Sequence, residues 1–203
     1  VIVGEKLPKS FYIRDDVLQI AHDLIGKVLY TNLNGQITSG IIVEAEAYNG
    51  RNDPGCHAYP EKHTPRTEVM YEEGGVAYVY LCYGIHRMFN VVTNVKGKAD
   101  CVLIRAVEPL NGMDVMLLRR EKKKADHRLT MGPGSVGKAL GITLEMNGNS
   151  LLSNSIWIAS NNKASKNQIV NGPRVGMSRP HQPYAKFPWR FYVADSPWVS
   201  KYR

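Results

Sequence analysis

The sequence predicts an α+β fold, a mixed α/β arrangement in one domain spanning residues 1–203, and three observations lead there. An amphipathic helical pattern stands near the start of the chain. An Asn-Gly pair follows it between two strand-like runs, and three more such runs separated by short turns lie between residues 76 and 107. One early helix followed mostly by strands joined through tight turns describes helices packed on an antiparallel sheet. With 203 residues, 43% of them hydrophobic, the chain can bury a sizeable core without dividing into two units.

Each element rests on local chemistry. Asp15 and Asp16 can cap a helix whose apolar positions Val17, Ile20, Ala21, Leu24 and Ile25 form one face, and Gly26 follows where the helix has to stop. Residues 28–31 read as a strand, Asn34-Gly35 as a hairpin turn, and residues 36 to about 48 as the returning strand. Residues 49–75 form a long irregular stretch rich in Gly, Pro, Glu, Arg and Lys, and loops of that length in compact domains are usually functional or disordered. Three strands are expected at 76–83, 87–95 and 100–107. A helix is expected over 111–124, closing in a basic cluster of Arg119, Arg120, Lys122, Lys123 and Lys124. That cluster reads either as a solvated helix end complementing the dipole or as a nucleic-acid contact. The turn Gly132-Pro133-Gly134 leads into a short helix at 135–140, and strands are expected at 156–159 and 189–193.

Composition narrows the function classes. No apolar run is long enough to cross a bilayer and the first residues lack a basic–apolar–small secretory pattern, so an intracellular protein without a membrane partner is expected. The three cysteines, Cys56, Cys82 and Cys101, are odd in number and form no C-x-x-C pair. That argues against a disulfide scaffold or a zinc finger and fits a reducing cytosolic or nuclear compartment. A formal charge of +8 points toward a polyanionic partner.

Several residues could carry chemistry. On a regular strand Glu44, Glu46 and Tyr48 share one face, which would set a carboxylate beside an aromatic platform; the pattern does not choose between the two glutamates. Tyr78 and Tyr80 share a face as well, opposite Val79, Leu81 and Tyr83. Tyr83 stands directly before Gly84 at a hairpin tip, where a bulky ring is either a packing residue or a wedge of the kind that enters base steps. Arg105 lies inside an apolar strand and needs a partner, either a structural carboxylate, a catalytic one or a phosphate. Two patterns mislead. Gly132-Pro133-Gly134-Ser135-Val136-Gly137-Lys138-Ala139 nearly spells a P-loop, but Ala139 stands where a hydroxyl must bind magnesium and no clear strand precedes it; its turn could still offer N–H groups to a phosphate. Cys56, His57 and His63 lack a third ligand at metal spacing, and adjacent Cys and His do not readily aim at each other as a dyad.

Taken together, several segments resemble the alkyladenine (3-methyladenine) DNA glycosylase family. They are Val43-Glu44-Ala45-Glu46-Ala47-Tyr48, Cys56-His57-Ala58-Tyr59, His63-Thr64-Pro65-Arg66-Thr67, and the run from Tyr78 to His86 with Asn90-Val91-Val92. With them go Val102-Leu103-Ile104-Arg105-Ala106-Val107-Glu108-Pro109, Arg174-Val175-Gly176, Arg190-Phe191-Tyr192-Val193 and Ser196-Pro197-Trp198-Val199-Ser200. The resemblance runs from about Leu7 to the end of the chain, and the joint occurrence of these segments in order is specific.

The resemblance implies a curved antiparallel sheet with a protruding β-hairpin and flanking helices. It also implies hydrolysis of the N-glycosidic bond of an alkylated or deaminated purine flipped out of duplex DNA, leaving an abasic site. Glu46 would be the general base, and Arg105 would help hold the water together with the backbone carbonyl of Val175. Tyr48 would stack on one face of the extruded base, with His57 and Tyr80 closing the other. Asn90 would crowd the exocyclic amino group of normal guanine at the pocket floor, and Leu103 would lie nearby. Tyr83 would fill the vacated space in the duplex, and Gly84, His86, Arg66, Gly134 and Ser135 would lie on the DNA. No cofactor and no metal are implied, and the enzyme is expected to be a monofunctional monomer whose partner is double-stranded DNA containing a damaged purine. Such a mechanism suits a carboxylate, because cleavage develops oxocarbenium character on the sugar. Cys56 departs from the small residue commonly found before the histidine, and Gly134-Ser135 departs from a family pattern carrying lysine, which leaves open whether Lys138 substitutes.

Overall fold

In a computed structural model, which describes residues 4–161, 168–177 and 182–201, the chain opens with a single helical turn, α1 (Lys9–Tyr12), and then the capped helix α2 (Val17–Leu24). The Asp16 side chain accepts from the amides of Leu18 and Gln19, satisfying donors that the first turn cannot pair internally. Val17, Ile20, Ala21 and Leu24 are buried, and burial stabilises by about 1.5–3 kcal/mol for each large aliphatic side chain. Strands β1 (Val28–Leu33) and β2 (Gln36–Asn49) pair antiparallel across Asn34 and Gly35, both at positive φ as a tight hairpin requires.

The other strands are β3 (Ala77–Cys82), β4 (His86–Thr93), β5 (Asp100–Asn111), β6 (Ile156–Ala159), β7 (Ile169–Gly172) and β8 (Arg190–Val193). Together the eight form one antiparallel sheet, curled into a half-barrel, in the order β3-β4-β5-β2-β1-β6. β2 is long enough to serve two neighbours: its first half pairs β1, while Glu44–Glu46 pair β8, which in turn pairs β7. The main core lies on the face of β2 that presents Val43, Ala45 and Ala47, beneath α2 and two later helices, α3 (Met113–Arg119) and α4 (Pro133–Ala139). A smaller cluster, including Ala58, Met70, Tyr71, Tyr78 and Cys101, lies under the 49–75 loop.

Two expectations change. The helix placed at 111–124 is α3 alone: Asn111 ends β5, and the chain leaves the helix after Arg119. Arg119 turns inward, donating to the Thr38 hydroxyl (3.1 Å) and the Ala139 carbonyl (3.2 Å). Arg120 donates to the carbonyls of Arg128 and Leu129 and to the Ser135 hydroxyl. These two arginines thus hold the following turn and are not a solvated helix end. The glycine-rich helix α4 also has a packing cause. A Cβ at Gly137 would lie 2.2 Å from the Arg87 carbonyl oxygen, and one at Gly134 would lie 2.8 Å from the His86 ring. Both glycines therefore let α4 approach the start of β4.

Candidate active site

Strand register gathers the candidate residues into a grid. Tyr78 of β3 pairs Asn90 of β4, Asn90 pairs Leu103 of β5, Leu103 pairs Glu46 of β2, and Glu46 pairs Arg190 of β8. The next row toward the 49–75 loop contains Val92, Cys101 and Tyr48. Residues that lie far apart in sequence are brought side by side on one sheet face, because opposite residues on neighbouring antiparallel strands stand only about 4.5–5.5 Å apart.

Arg105 interrupts this register. Ile104 pairs Ala45 and Ala106 pairs Glu44, which leaves Arg105 as the extra residue of a β-bulge, and Val43 compensates on β2. Bulges re-aim side chains. Here the Arg105 Nε lies 2.9 Å from Glu44 Oε1 and 3.4 Å from Glu46 Oε1, so one guanidinium bridges both carboxylates. Although burial by itself works against the charge, the two carboxylates prevail and raise the Arg105 pKa.

The glutamates have different partners. Glu44 accepts from Arg105 Nε, Arg190 Nη1 (3.1 Å), the Ser200 amide (2.8 Å) and the Ser200 hydroxyl (2.7 Å). Glu46 accepts from the Tyr48 hydroxyl at 2.8 Å and the Val175 amide at 2.7 Å. The backbone group of Val175 that reaches Glu46 is thus its N–H. The Glu46 side chain is wholly buried, and burial together with the Glu46 charge raises the Tyr48 pKa well above its usual value.

Tyr48 separates Glu46 from a cavity of about 340 Å³, a size at the lower end of small-molecule sites. His57, Tyr78, Tyr80, Asn90 and Cys101 line it beside Tyr48. Asn90 is buried and donates from Nδ2 to the Tyr78 carbonyl (3.2 Å). His57 sits edge-on to Tyr80, its ring centroid 4.7 Å away. Its Nε2 lies 3.2 Å from a guanidinium nitrogen of Arg66, which can only donate. The imidazole proton is therefore assigned to Nδ1, 3.0 Å from the Tyr78 hydroxyl. Burial first, and then the Arg66 charge, push the His57 pKa down to about 4.

Comparison with known proteins bears on this arrangement. The profile of the methylpurine-DNA glycosylase family matches residues 10–197. A Chlamydia abortus protein is 50% identical over 92% of this chain and 97% of its own length. Proteins of Natranaerobius thermophilus and Bacillus cereus are each 43% identical over 96% of this chain and 98% of theirs. All three are provisionally named 3-methyladenine DNA glycosylase. The chain belongs to the methylpurine-DNA glycosylase family. It is a DNA glycosylase of alkylated-base repair.

In this glycosylase the β3–β4 hairpin presents Tyr83 to solvent with 90% of its surface exposed. Tyr83 and Gly84 both have positive φ and the Ile85 amide donates to the Cys82 carbonyl, so a tight turn fixes the ring outward. His86 is exposed at the start of β4 against Gly134, while the Ser135 hydroxyl is engaged by Arg120. Arg66 lines the cavity, with its guanidinium 4.7 Å over the Tyr80 ring. Lys138 forms an ion pair with Glu121 at 2.8 Å. Leu103 is buried between Asn90 and Glu46 in the register but does not line the cavity.

Sequence reasoning missed three contributors. Arg174 is fully buried, donates from both terminal nitrogens to Asp53, and lies 4.6 Å from the Tyr48 ring centroid and 5.2 Å from that of Trp189. It backs Tyr48 with its side chain, while the next residue, Val175, supplies the amide on Glu46. Tyr78, expected to be a plain core residue, bonds His57 and lines the cavity. Ser200 fastens the chain's last described turn to Glu44. Arg174 and Ser200 did stand inside quoted motifs, but only the fold shows what they touch.

Proposed function

We propose that this glycosylase flips a damaged purine out of duplex DNA into the cavity beside Tyr48 and hydrolyses its N-glycosidic bond with water activated by Glu46. The observation that carries this is Glu46 itself, a buried carboxylate held by Tyr48 and Val175 at the edge of an aromatic-lined cavity. A purine between Tyr48 and the His57–Tyr80 pair would gain stacking of about 1–3 kcal/mol, enough to offset much of the few kcal/mol that extrusion costs. Lesions that are already loosely paired would enter most easily.

In the reaction the water oxygen bonds to C1′ as the C1′–N bond breaks. The bonding electron pair leaves on the base and Glu46 accepts the water proton. Arg105 and the Val175 backbone position Glu46 and the water, while the carboxylate stabilises the developing sugar cation. Asn90 crowds the exocyclic amino group of an undamaged guanine. None of the described residues lining the cavity is a lysine, which supports direct hydrolysis to an abasic site over an imine route. Tyr83 fills the gap left in the duplex, with Gly84, His86, Arg66, Gly134 and Ser135 beside the backbone. The test is release of free base from duplexes containing 3-methyladenine, 7-methylguanine, hypoxanthine or ethenoadenine. Glu46→Gln should lower single-turnover release by at least about 10²-fold, in line with the usual contribution of general-base catalysis. Full activity in that variant would refute the role. Tight lesion binding by the wild type without any base release would make the protein a damage sensor instead.

A further inference from the structure

We propose that Arg66 is a specificity-determining residue that favours purines leaving as anions, such as hypoxanthine, over purines that enter as cations, such as 7-methylguanine. This rests on the cavity being the base slot, as proposed above.

Among the described residues lining the cavity, Arg66 is the only one with a full formal charge, because His57 is held neutral. The two other guanidiniums near the slot are matched: Arg174 by Asp53, and Arg105 by Glu44 and Glu46. No carboxylate among the described residues lies within ion-pair distance of Arg66. It is held instead by two neutral partners, His57 Nε2 at 3.2 Å and the face of Tyr80 at 4.7 Å. One uncancelled positive charge therefore stands against the ring expected to close the slot.

Charge conservation fixes what this does. When the C1′–N bond breaks, its electron pair goes to the base, so a cationic base leaves neutral and a neutral base leaves as an anion until it is protonated. Both lose one unit of charge beside Arg66, and both bond-breaking steps gain. Their routes into the slot differ. A cationic base is repelled on entry, and cleavage only returns what entry cost. A neutral base enters without that cost and keeps the whole gain. Arg66 should thus raise kcat/KM for neutral lesions and leave that of cationic lesions nearly unchanged.

The experiment compares Arg66→Gln and Arg66→Lys with the wild type on duplexes containing hypoxanthine or 7-methylguanine. Rates are measured at limiting and at saturating enzyme. Arg66 is exposed, so both variants should fold. With Gln, kcat/KM for hypoxanthine should fall by about tenfold or more, the scale of one unit charge at a few ångströms in a partly screened site. For 7-methylguanine it should change by less than about threefold, while the saturated rate falls for both. Lys keeps the charge and should retain most of the ratio. Equal losses in kcat/KM on both duplexes, as a backbone contact would give, or a larger loss on 7-methylguanine, would overturn the assignment. Release of neither base by the wild type would instead remove the glycosidic reading, and this one with it.

Discussion

Removing the Asp53 carboxylate should both unfold the protein more easily and loosen its base clamp. Asp53 and Arg174 are each fully buried, and Asp53 receives both terminal nitrogens of the guanidinium, one of them at 2.8 Å. In Asp53→Ala the arginine keeps the Ala47 carbonyl at 3.0 Å, the Tyr184 carbonyl at 3.3 Å and two aromatic faces, but it loses its only counter-charge. Breaking a buried pair from one side costs about 3–5 kcal/mol, because an uncompensated charge remains in the interior. For a chain of this length 1 kcal/mol moves the thermal midpoint by about 2–4 °C, so the midpoint should fall by about 6–20 °C. Urea titration should show the loss in the midpoint with an unchanged slope. The double variant Asp53→Ala, Arg174→Met replaces the pair with apolar groups, and its cost should be clearly less than the sum of the singles. Base release should fall in Asp53→Ala, since Tyr48 and the Val175 amide both lean on Arg174, and Asp53→Asn should lose less because it keeps an acceptor. A stability loss under about 1 kcal/mol in Asp53→Ala, or strict additivity in the double variant, would refute the claim that this pair holds the clamp.

Two further predictions address the hairpin and the imidazole. Tyr83→Ser should leave stability within about 0.5 kcal/mol of wild type, because the ring is almost fully exposed, yet weaken capture of lesion duplexes by about 5- to 150-fold in fluorescence anisotropy. Unchanged affinity would make Tyr83 a bystander. His57 has its pKa lowered from 6.5 to about 4, so on acidification the unfolded chain takes up a proton before the folded one does. Its contribution to stability is therefore full above about pH 6.5, declines as pH falls toward about 4, and levels off below that. The pH dependence of unfolding should flatten across that window in His57→Gln, and superimposable profiles would show that His57 is not the group responsible.

Much of the fold was legible because its signals are local. An aspartate at a helix start, a periodic apolar face and an Asn-Gly turn act within a few residues, and α2 and the β1–β2 hairpin stand where those signals place them. The hairpin tip was legible for the same reason, since Tyr83 and Gly84 occupy a tight turn whatever packs elsewhere. The helix after β5 was overextended because a run of basic residues suits an exposed helix. What ends it is the distant demand of the Thr38 hydroxyl and the Ala139 and Leu129 carbonyls for donors, which Arg119 and Arg120 supply. The long loop was flagged by its length alone. That it supplies Asp53, His57 and Arg66 to the cavity depends on how it folds over β3–β5.

The choice between the two glutamates shows where sequence pattern stops. On a regular strand Glu44 and Glu46 are equivalent, both on the face away from the main core and both near Arg105. The bulge removes that equivalence by lodging the Arg105 guanidinium between them, while β8 and the turn through Ser200 approach only the Glu44 end. Glu44 then has four donors around its two oxygens, which suits a structural anchor and leaves little room for water. Glu46 keeps two close donors, and one of them, the Tyr48 hydroxyl, belongs to a ring on the cavity wall. A carboxylate has about four lone-pair sites, so Glu46 can accept a water without giving up either contact, whereas Glu44 would have to surrender one. Glu44→Gln and Glu46→Gln should therefore fail differently, the first through a loosened Arg105 and a less stable fold, the second in the chemical step with the fold intact.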